Sequence, residues 1–304
     1  MNEEAPAPAR MAVGYAAAAF AVLVWAGWIV ATRQQVRGSA PLDIALVRYG
    51  VPALLLAPIW LRRGLLPAGE RFWPLAVMTI GWGGPFVLLT AKGLETVPAA
   101  LFGPMVPATL PLFVAAWDRF AEGRAIAPER ALGLALILAA GALIVGPAAL
   151  RGDAGFFAGA PFLLAAAAGW AAFTIAFRRT RLSGLEATAY VSLWSAPFLL
   201  AAAAAQGVGL GRLEAGQLAL MVLVQGVLSG VGAVAGFGLA VRALGAARTS
   251  SLTSLVPALA AVGGWLLLGE RVAPASWASV ILACAGVALT NGAGAGLRRL
   301  ARGR

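Results

Sequence analysis

The sequence predicts an all-α integral membrane protein: ten transmembrane helices arranged as two inverted five-helix repeats around a central cavity. Three observations carry that prediction. The 304 residues are 61% hydrophobic and 12% charged, with a mean hydropathy of +0.86, whereas soluble domains are about 45–50% apolar and about 25% charged. The apolar residues fall into runs of about 20, the helix length that crosses a hydrocarbon core about 30 Å thick, parted by short links bearing Arg, Gly and Pro. One segment is also written twice: WAGWIVATR at 25–33 returns as WAAFTIAFR at 170–178, each copy closing on arginine.

Taken in order, the apolar runs place helices over 12–32, 42–61, 72–93, 97–118, 129–149, 155–177, 185–205, 215–241, 247–268 and 274–292. None shows the period-two alternation of a barrel strand, and only helices and closed barrels satisfy backbone polar groups in lipid. The opening MNEEAPAPAR is acidic and proline-rich and reads as a disordered tail. The apolar run after Arg10 is too long for the core of a signal peptide and reads as the first span. With the N-terminus placed in the cytoplasm, sixteen Lys and Arg fall on the cytoplasmic side and six on the other, with Arg48 inside the second span. Positive charge is retained on the cytoplasmic side of membrane proteins, so both termini are expected inside and the span number even.

The repeat extends beyond its first pair. LETVPAALFGPMVPA (94–108) aligns with LGAARTSSLTSLVPA (244–258), AEGRAIAP (121–128) with GERVAP (269–274), and AAGALI (139–144) with CAGVAL (284–289). The chain then divides into a cytoplasmic tail at 1–11, a first five-helix repeat at 12–150, a second at 154–292 and a basic cytoplasmic tail at 293–304. Five is odd, so the second half enters the membrane from the opposite side. Inverted repeats of this kind characterise transporters, with the substrate site near the midplane between the halves.

Composition narrows function. Histidine is absent and the single cysteine, Cys284, lies in an apolar run; a histidine metal site, base or proton relay is excluded, and no metal or cofactor is expected. No nucleophile–base pair or hydrolase motif marks an enzyme. The net charge of +11 is distributed over loop ends rather than in a basic patch with aromatic residues, which argues against nucleic acid. Short tails and loops leave no effector domain for a sensor or scaffold. The expected partners are a small-molecule substrate and the lipid bilayer, with no obligate protein partner.

The WAGWIVATR first span, the P-L-x-x-x-x-x-R-Y opening of the second (41–49) and V-P-A-L through G-E-R-V-A-P before the last helix (256–274) resemble the EamA branch of the drug/metabolite transporter superfamily. The resemblance covers the chain between its tails. It implies a bacterial inner-membrane exporter of amino acids or other small metabolites. The aromatic richness is similar to that of the aromatic amino acid exporters, in which helices holding the positions of Trp82, Phe102 and Trp170 line the central cavity.

Charged residues inside a span are functional by default, yet no Asp or Glu falls near the middle of any span. Arg48 and Lys92 are the basic residues at depth, both placed to snorkel outward. Facilitated diffusion or exchange by alternating access is therefore expected, for amino acids with aromatic or other apolar side chains. The alternative is another small cargo (a drug, a nucleobase, a vitamin) with proton coupling through the helix-end charges Asp43, Arg48, Lys92 and Glu95.

Candidate site residues come from three patterns. Trp25, Trp28, Trp82, Trp170 and Trp194 lie deep, and of these Trp25, Trp82 and Trp170 are the site candidates, with Phe86 one turn from Trp82 and Phe102 on a proline-rich helix; ring faces stack on aromatic cargo or hold an ammonium. Gln225 and Ser229 share one face of the eighth helix, and Thr253 and Ser254 one face of the ninth. Pro104, Pro107 and Pro111 repeat along the fourth helix, Pro257 stands in the matching place of the ninth, and Pro85 interrupts the third. Each proline removes a helical hydrogen bond, marking kinks or hinges that free carbonyls for a substrate ammonium.

Overall fold

The computed structural model describes residues 8–291. The expected tails over 1–7 and 293–304, and the last residue of the tenth helix, lie outside the described residues.

Every element is helical. In chain order they are α1 (Pro8–Gln35), α2 (Pro41–Leu55), α3 (Ala57–Arg63), α4 (Phe72–Trp82), α5 (Gly84–Leu94), α6 (Ala99–Met105), α7 (Leu110–Phe120), α8 (Pro128–Leu150), α9 (Ala154–Phe177) and α10 (Gly184–Gln206). A 3-10 turn (Leu210–Arg212), α11 (Ala215–Met221), a π-helical segment (Val222–Gly232), α12 (Ala233–Leu244), α13 (Ala246–Thr253), α14 (Val256–Leu268) and α15 (Pro274–Thr290) complete the described chain. The first helix begins inside the expected tail, at Pro8, where a proline lacks only an N–H that the first turn leaves unpaired anyway.

Seven helical stretches among the described residues are long and apolar enough to cross a membrane: Arg10–Gln35, Phe72–Leu94, Ala99–Phe120, Pro128–Leu150, Ala154–Phe177, Gly184–Gln206 and Ala215–Leu244. The other three expected spans differ from the sequence reading. The second bends by 61° between α2 and α3, where Pro58 opens α3. The ninth breaks at Ser254 and Leu255, just before Pro257 in the first turn of α14. A proline ring clashes with the carbonyl four residues before it and supplies no N–H to pair with it, here at Leu54 and Thr253, which explains both interruptions. The tenth is helical over only 17 residues, in α15.

The two sequence repeats pack on each other element by element. α2 lies against its repeat counterpart α10 and α8 against its counterpart α15; α6 of the fourth span meets α14 of the equivalent ninth, while α1 packs on α12 and α4–α5 on α9. Glycines set the closest crossings. A methyl group on Gly81 would stand 2.3 Å from the carbonyl oxygen of Gly169, one on Gly103 2.3 Å from Cβ of Pro257, and one on Gly133 2.7 Å from the carbonyl oxygen of Gly286. Close backbone approach of this kind is how helices gain packing energy in lipid, where hydrophobic burial between helices is weak.

Candidate substrate site

The site begins with a broken helix. Between α4 and α5 the chain leaves helical geometry at Gly83 (φ −91°, ψ −147°), and Pro85 starts the next helix. The break frees the carbonyl of Trp82, which accepts a hydrogen bond from the Tyr49 hydroxyl of α2. On the other side, the N–H of Gly84 donates to Ser195 Oγ of α10 at 3.0 Å, and that hydroxyl donates on to the Val191 carbonyl. Two side chains thus fix the broken turn, and with it the rings of Trp82 and Phe86.

Those rings belong to a continuous aromatic cluster drawn from both repeats. Phe102 meets Trp28 edge-on at 5.9 Å, Trp28 stacks on Phe86 at 6.4 Å, and Phe86 meets Trp170 edge-on at 6.0 Å. A branch runs from Phe86 to Trp82 at 6.4 Å, Phe173 at 4.9 Å and Phe177 at 5.7 Å. Trp28, Phe86 and Phe102 are buried, and Trp82 and Trp170 half-buried. All separations lie in the range of favourable aromatic contact. The rings pack upon one another in the place where the sequence suggested a cavity.

Trp28 is the hub. Its Nε1–H donates to Gln225 Oε1 at 2.6 Å, and the Gln225 amide nitrogen donates to Thr32 Oγ1 at 2.9 Å and Gln35 Oε1 at 2.7 Å. Gln225 sits in the π-helical segment, whose wider turn is a frequent mark of functional positions. The same segment presses Gly226 onto Val51 and Gly230 onto Pro52 and Arg48 of α2.

Arg48 does not snorkel. It is 5% exposed and its guanidinium carbon lies 5.7 Å from the Tyr49 ring, 5.9 Å from the Trp82 ring and 6.0 Å from the Trp28 ring. It forms no ion pair with any described carboxylate, and its Nε has no hydrogen-bond partner among the described residues.

The structure therefore brings together the candidates Trp82, Phe86, Phe102 and Trp170, and a fifth candidate, Gln225, holds Trp28 in place. Ser229 is buried beside Gly230 with its Oγ unpartnered. Trp25 stands apart, its ring 5.5 Å from that of Phe237. The Thr253 hydroxyl donates back to the Ser250 carbonyl, and Ser254 is buried at the break before α14. Of the prolines, Pro104 lies inside α6, Pro107 in the turn after it, and Pro85, Pro111 and Pro257 in the first turns of α5, α7 and α14. The last three start helices rather than kink them, because a first turn tolerates the missing N–H. The helix-end charges do not form one cluster: Lys92 pairs with Glu95 at an exposed site, and Asp43 accepts from the Gly209 N–H. Arg48, Trp28, Tyr49, Phe173 and Phe177 are residues of the site that sequence reasoning left out of its candidates. The charge of Arg48 inside a span was the available signal.

Two ion-pair knots lie at opposite ends of the α6–α7 stretch. At its start, Glu270 accepts from the Ala99 N–H and from Arg33 Nε, both at 2.9 Å, and Arg33 also donates to the carbonyls of Leu94 and Glu95. At its end, Asp118 pairs with Arg130 at 2.8 Å and Arg178 at 3.5 Å, and Glu122 with Arg179 at 3.5 Å. Arg33 and Arg178 are the closing arginines of the two repeated segments, and Glu270 and Glu122 belong to the aligned GERVAP and AEGRAIAP stretches. A separate apolar cleft of about 640 Å³ opens between α4, α7 and α9, past Trp73, Phe113 and Trp117. None of the clustered rings lines it.

The chain matches the EamA-like transporter family twice, over residues 12–146 and 157–292. It belongs to this family. The two matches coincide with the two packed repeats, and a multi-pass membrane transporter of small molecules follows from membership. A solved crystal structure is similar over 96% of this transporter and 98% of its own chain, with a TM-score of 0.61 at 20% identity; that likeness concerns the fold. No curated protein matches the transporter.

Proposed function

We propose that this transporter exports amino acids with aromatic or other apolar side chains across a bacterial inner membrane, by alternating access and without an ion gradient. The observation that carries the reading is the enclosed aromatic cluster, built from Trp28, Trp82, Phe86 and Phe102 of the first repeat and Trp170, Phe173 and Phe177 of the second. A site of apolar rings with few polar groups suits an apolar side chain. The buried acids near the membrane, Asp43 and Asp118, stand in the first turn of α2 and the last turn of α7, so neither offers a mid-membrane proton carrier.

Ten spans with opposed halves are part of the proposal. α1 ends at the Arg33 knot and the repeated α9 ends at the Arg178 knot, at opposite ends of α6–α7. That placement supports opposite insertion of the halves. With both termini cytoplasmic, the half-buried Arg33–Glu270 knot is the outer gate and the Asp118–Arg178 knot, with its more exposed arginine, the inner one, closed unequally in this state.

Counterflow in proteoliposomes tests the reading. Labelled phenylalanine or leucine should accumulate against an unlabelled pool, unaffected by imposed pH or sodium gradients. Lack of exchange for every amino acid overturns the cargo assignment. Gradient-driven accumulation overturns the facilitative mechanism.

A further inference from the structure

A cation enclosed by rings and protein, with nothing negative beside it, is an expensive feature, because a buried charge without a partner loses its hydration and gains little in return. Arg48 is in that position. Three ring faces within 6.0 Å compensate part of its charge through cation–π attraction, but rings accept no hydrogen bond in the plane of the guanidinium. The planar fork of five N–H donors is shaped for a carboxylate, which it grips with two parallel bonds, and its Nε is unpartnered.

The surroundings are arranged for a ligand rather than for a structural pair. Gly230 of the π segment lets the backbone close on the guanidinium, since a methyl group there would come within 2.9 Å of Arg48 Nη1. Its sequence neighbour Ser229 carries another of the five unpartnered buried polar atoms among the described residues, Oγ. The aromatic cluster starts at the same place, since Trp28 and Trp82 both touch Arg48 and lead to Phe86, Phe102 and Trp170.

We propose that Arg48 binds the carboxylate of the transported solute, with the solute's apolar side chain directed into the ring cluster. This rests on the transport reading above and sharpens its cargo to solutes that carry a carboxylate. The ammonium of an amino acid is then secondary, and a carboxylate without an ammonium binds as well. With a carboxylate that has no ammonium, the loaded site is neutral, whereas the empty one carries an uncompensated charge through the membrane. Reorientation is then easier loaded than empty, so exchange runs faster than net efflux.

The test uses purified transporter and three probes: 3-phenylpropionate and 4-methylpentanoate, which carry a carboxylate and no ammonium, and phenethylamine, which carries the reverse. Quenching of intrinsic tryptophan fluorescence reads binding, since Trp28 and Trp82 flank the cation. Both carboxylates should bind saturably and phenethylamine should not. Arg48→Met, which keeps the length and packing of the side chain, should weaken carboxylate binding at least tenfold while its ligand-free Tm stays equal to wild type or rises. Arg48→Lys, which keeps the charge and loses the fork, should fall between and guards against a misfolded methionine variant. Binding by Arg48→Met within twofold of wild type, phenethylamine binding as tightly as the carboxylates, or no saturable carboxylate binding overturns the proposal. So does a ligand-free Tm of Arg48→Met well below wild type, which would mark a structural cation. Arg48-dependent carboxylate binding without counterflow of any amino acid overturns the cargo reading and leaves this site standing. Normal phenylalanine exchange by Arg48→Met does the reverse.

Discussion

Glu270→Gln should open one end of the transporter. The Glu270 carboxylate joins three elements: it caps the N-terminus of α6 through the Ala99 N–H and holds Arg33, which in turn binds the carbonyls at the end of α5. The two side chains are 15% and 8% exposed, whereas Arg178 and Arg179 at the other knot are 50% and 59% exposed and their contacts stretch to 3.5 Å. Hydrogen bonds to charged groups at sheltered sites contribute about 1.5–3 kcal/mol each, and exposed ion pairs about 0.2–1 kcal/mol. Glutamine keeps an oxygen for one of the two bonds and loses the charge, a loss of about 2 kcal/mol. Only the conformation with the knot closed bears that loss, so the ratio of open to closed should rise about 30-fold.

Cysteine labelling reads the change. In a Cys284→Ser background, Val97→Cys places a thiol at a fully buried position between Glu95 and Ala99. A membrane-impermeant maleimide should modify it slowly in the parent and about 30-fold faster with Glu270→Gln. Glu122→Gln, at the opposite end, should leave the Val97→Cys rate unchanged or lower it. Equal rates in parent and Glu270→Gln would refute the assignment of this knot as a gate. Equal acceleration by both substitutions would show general loosening instead.

Three further outcomes are expected. Trp82→Ala and Trp170→Ala should each weaken substrate exchange at least tenfold while membrane insertion is retained, since each removes a ring from the centre of the cluster; wild-type exchange in both would remove them from the site. Gly81→Ala should lower Tm by several degrees, because its methyl lands 2.3 Å from the Gly169 oxygen and overpacking costs about 1–3 kcal/mol. Gly27→Ala, with no atom within 4 Å of its added methyl, should be neutral or raise Tm, and identical behaviour of the two would contradict the crossing. Pro107→Ala, in the turn joining α6 to α7, should change turnover more than protein level; unchanged turnover marks a static turn.

The parts of this fold that were legible in the sequence are those written in local composition. Apolar runs gave the helices to within a few residues, and the paired WAGWIVATR and WAAFTIAFR segments gave two repeats that pack on each other, with α2 on α10 and α8 on α15 but α1 on α12. Prolines announced interruptions but not their form: a proline ring both breaks the preceding turn and suits the next helix's first turn, so Pro85, Pro111 and Pro257 start helices. The site was legible only in its ring types. Trp28 and Gln225 meet across 197 residues, a pairing no local pattern carries. Arg48 was visible as a charge within a span, and its long side chain permitted either escape to the surface or enclosure. Helical periodicity does not separate these, because α2 is apolar on most of its circumference and its hydrophobic residues mark no single buried face. Tertiary contact decides: Tyr49 is tied to the freed Trp82 carbonyl, and Gly230 closes on the guanidinium from the π segment. A residue that could have reached water is instead held among rings without a counter-charge, and substrate is the missing partner that makes that arrangement worth its energetic cost.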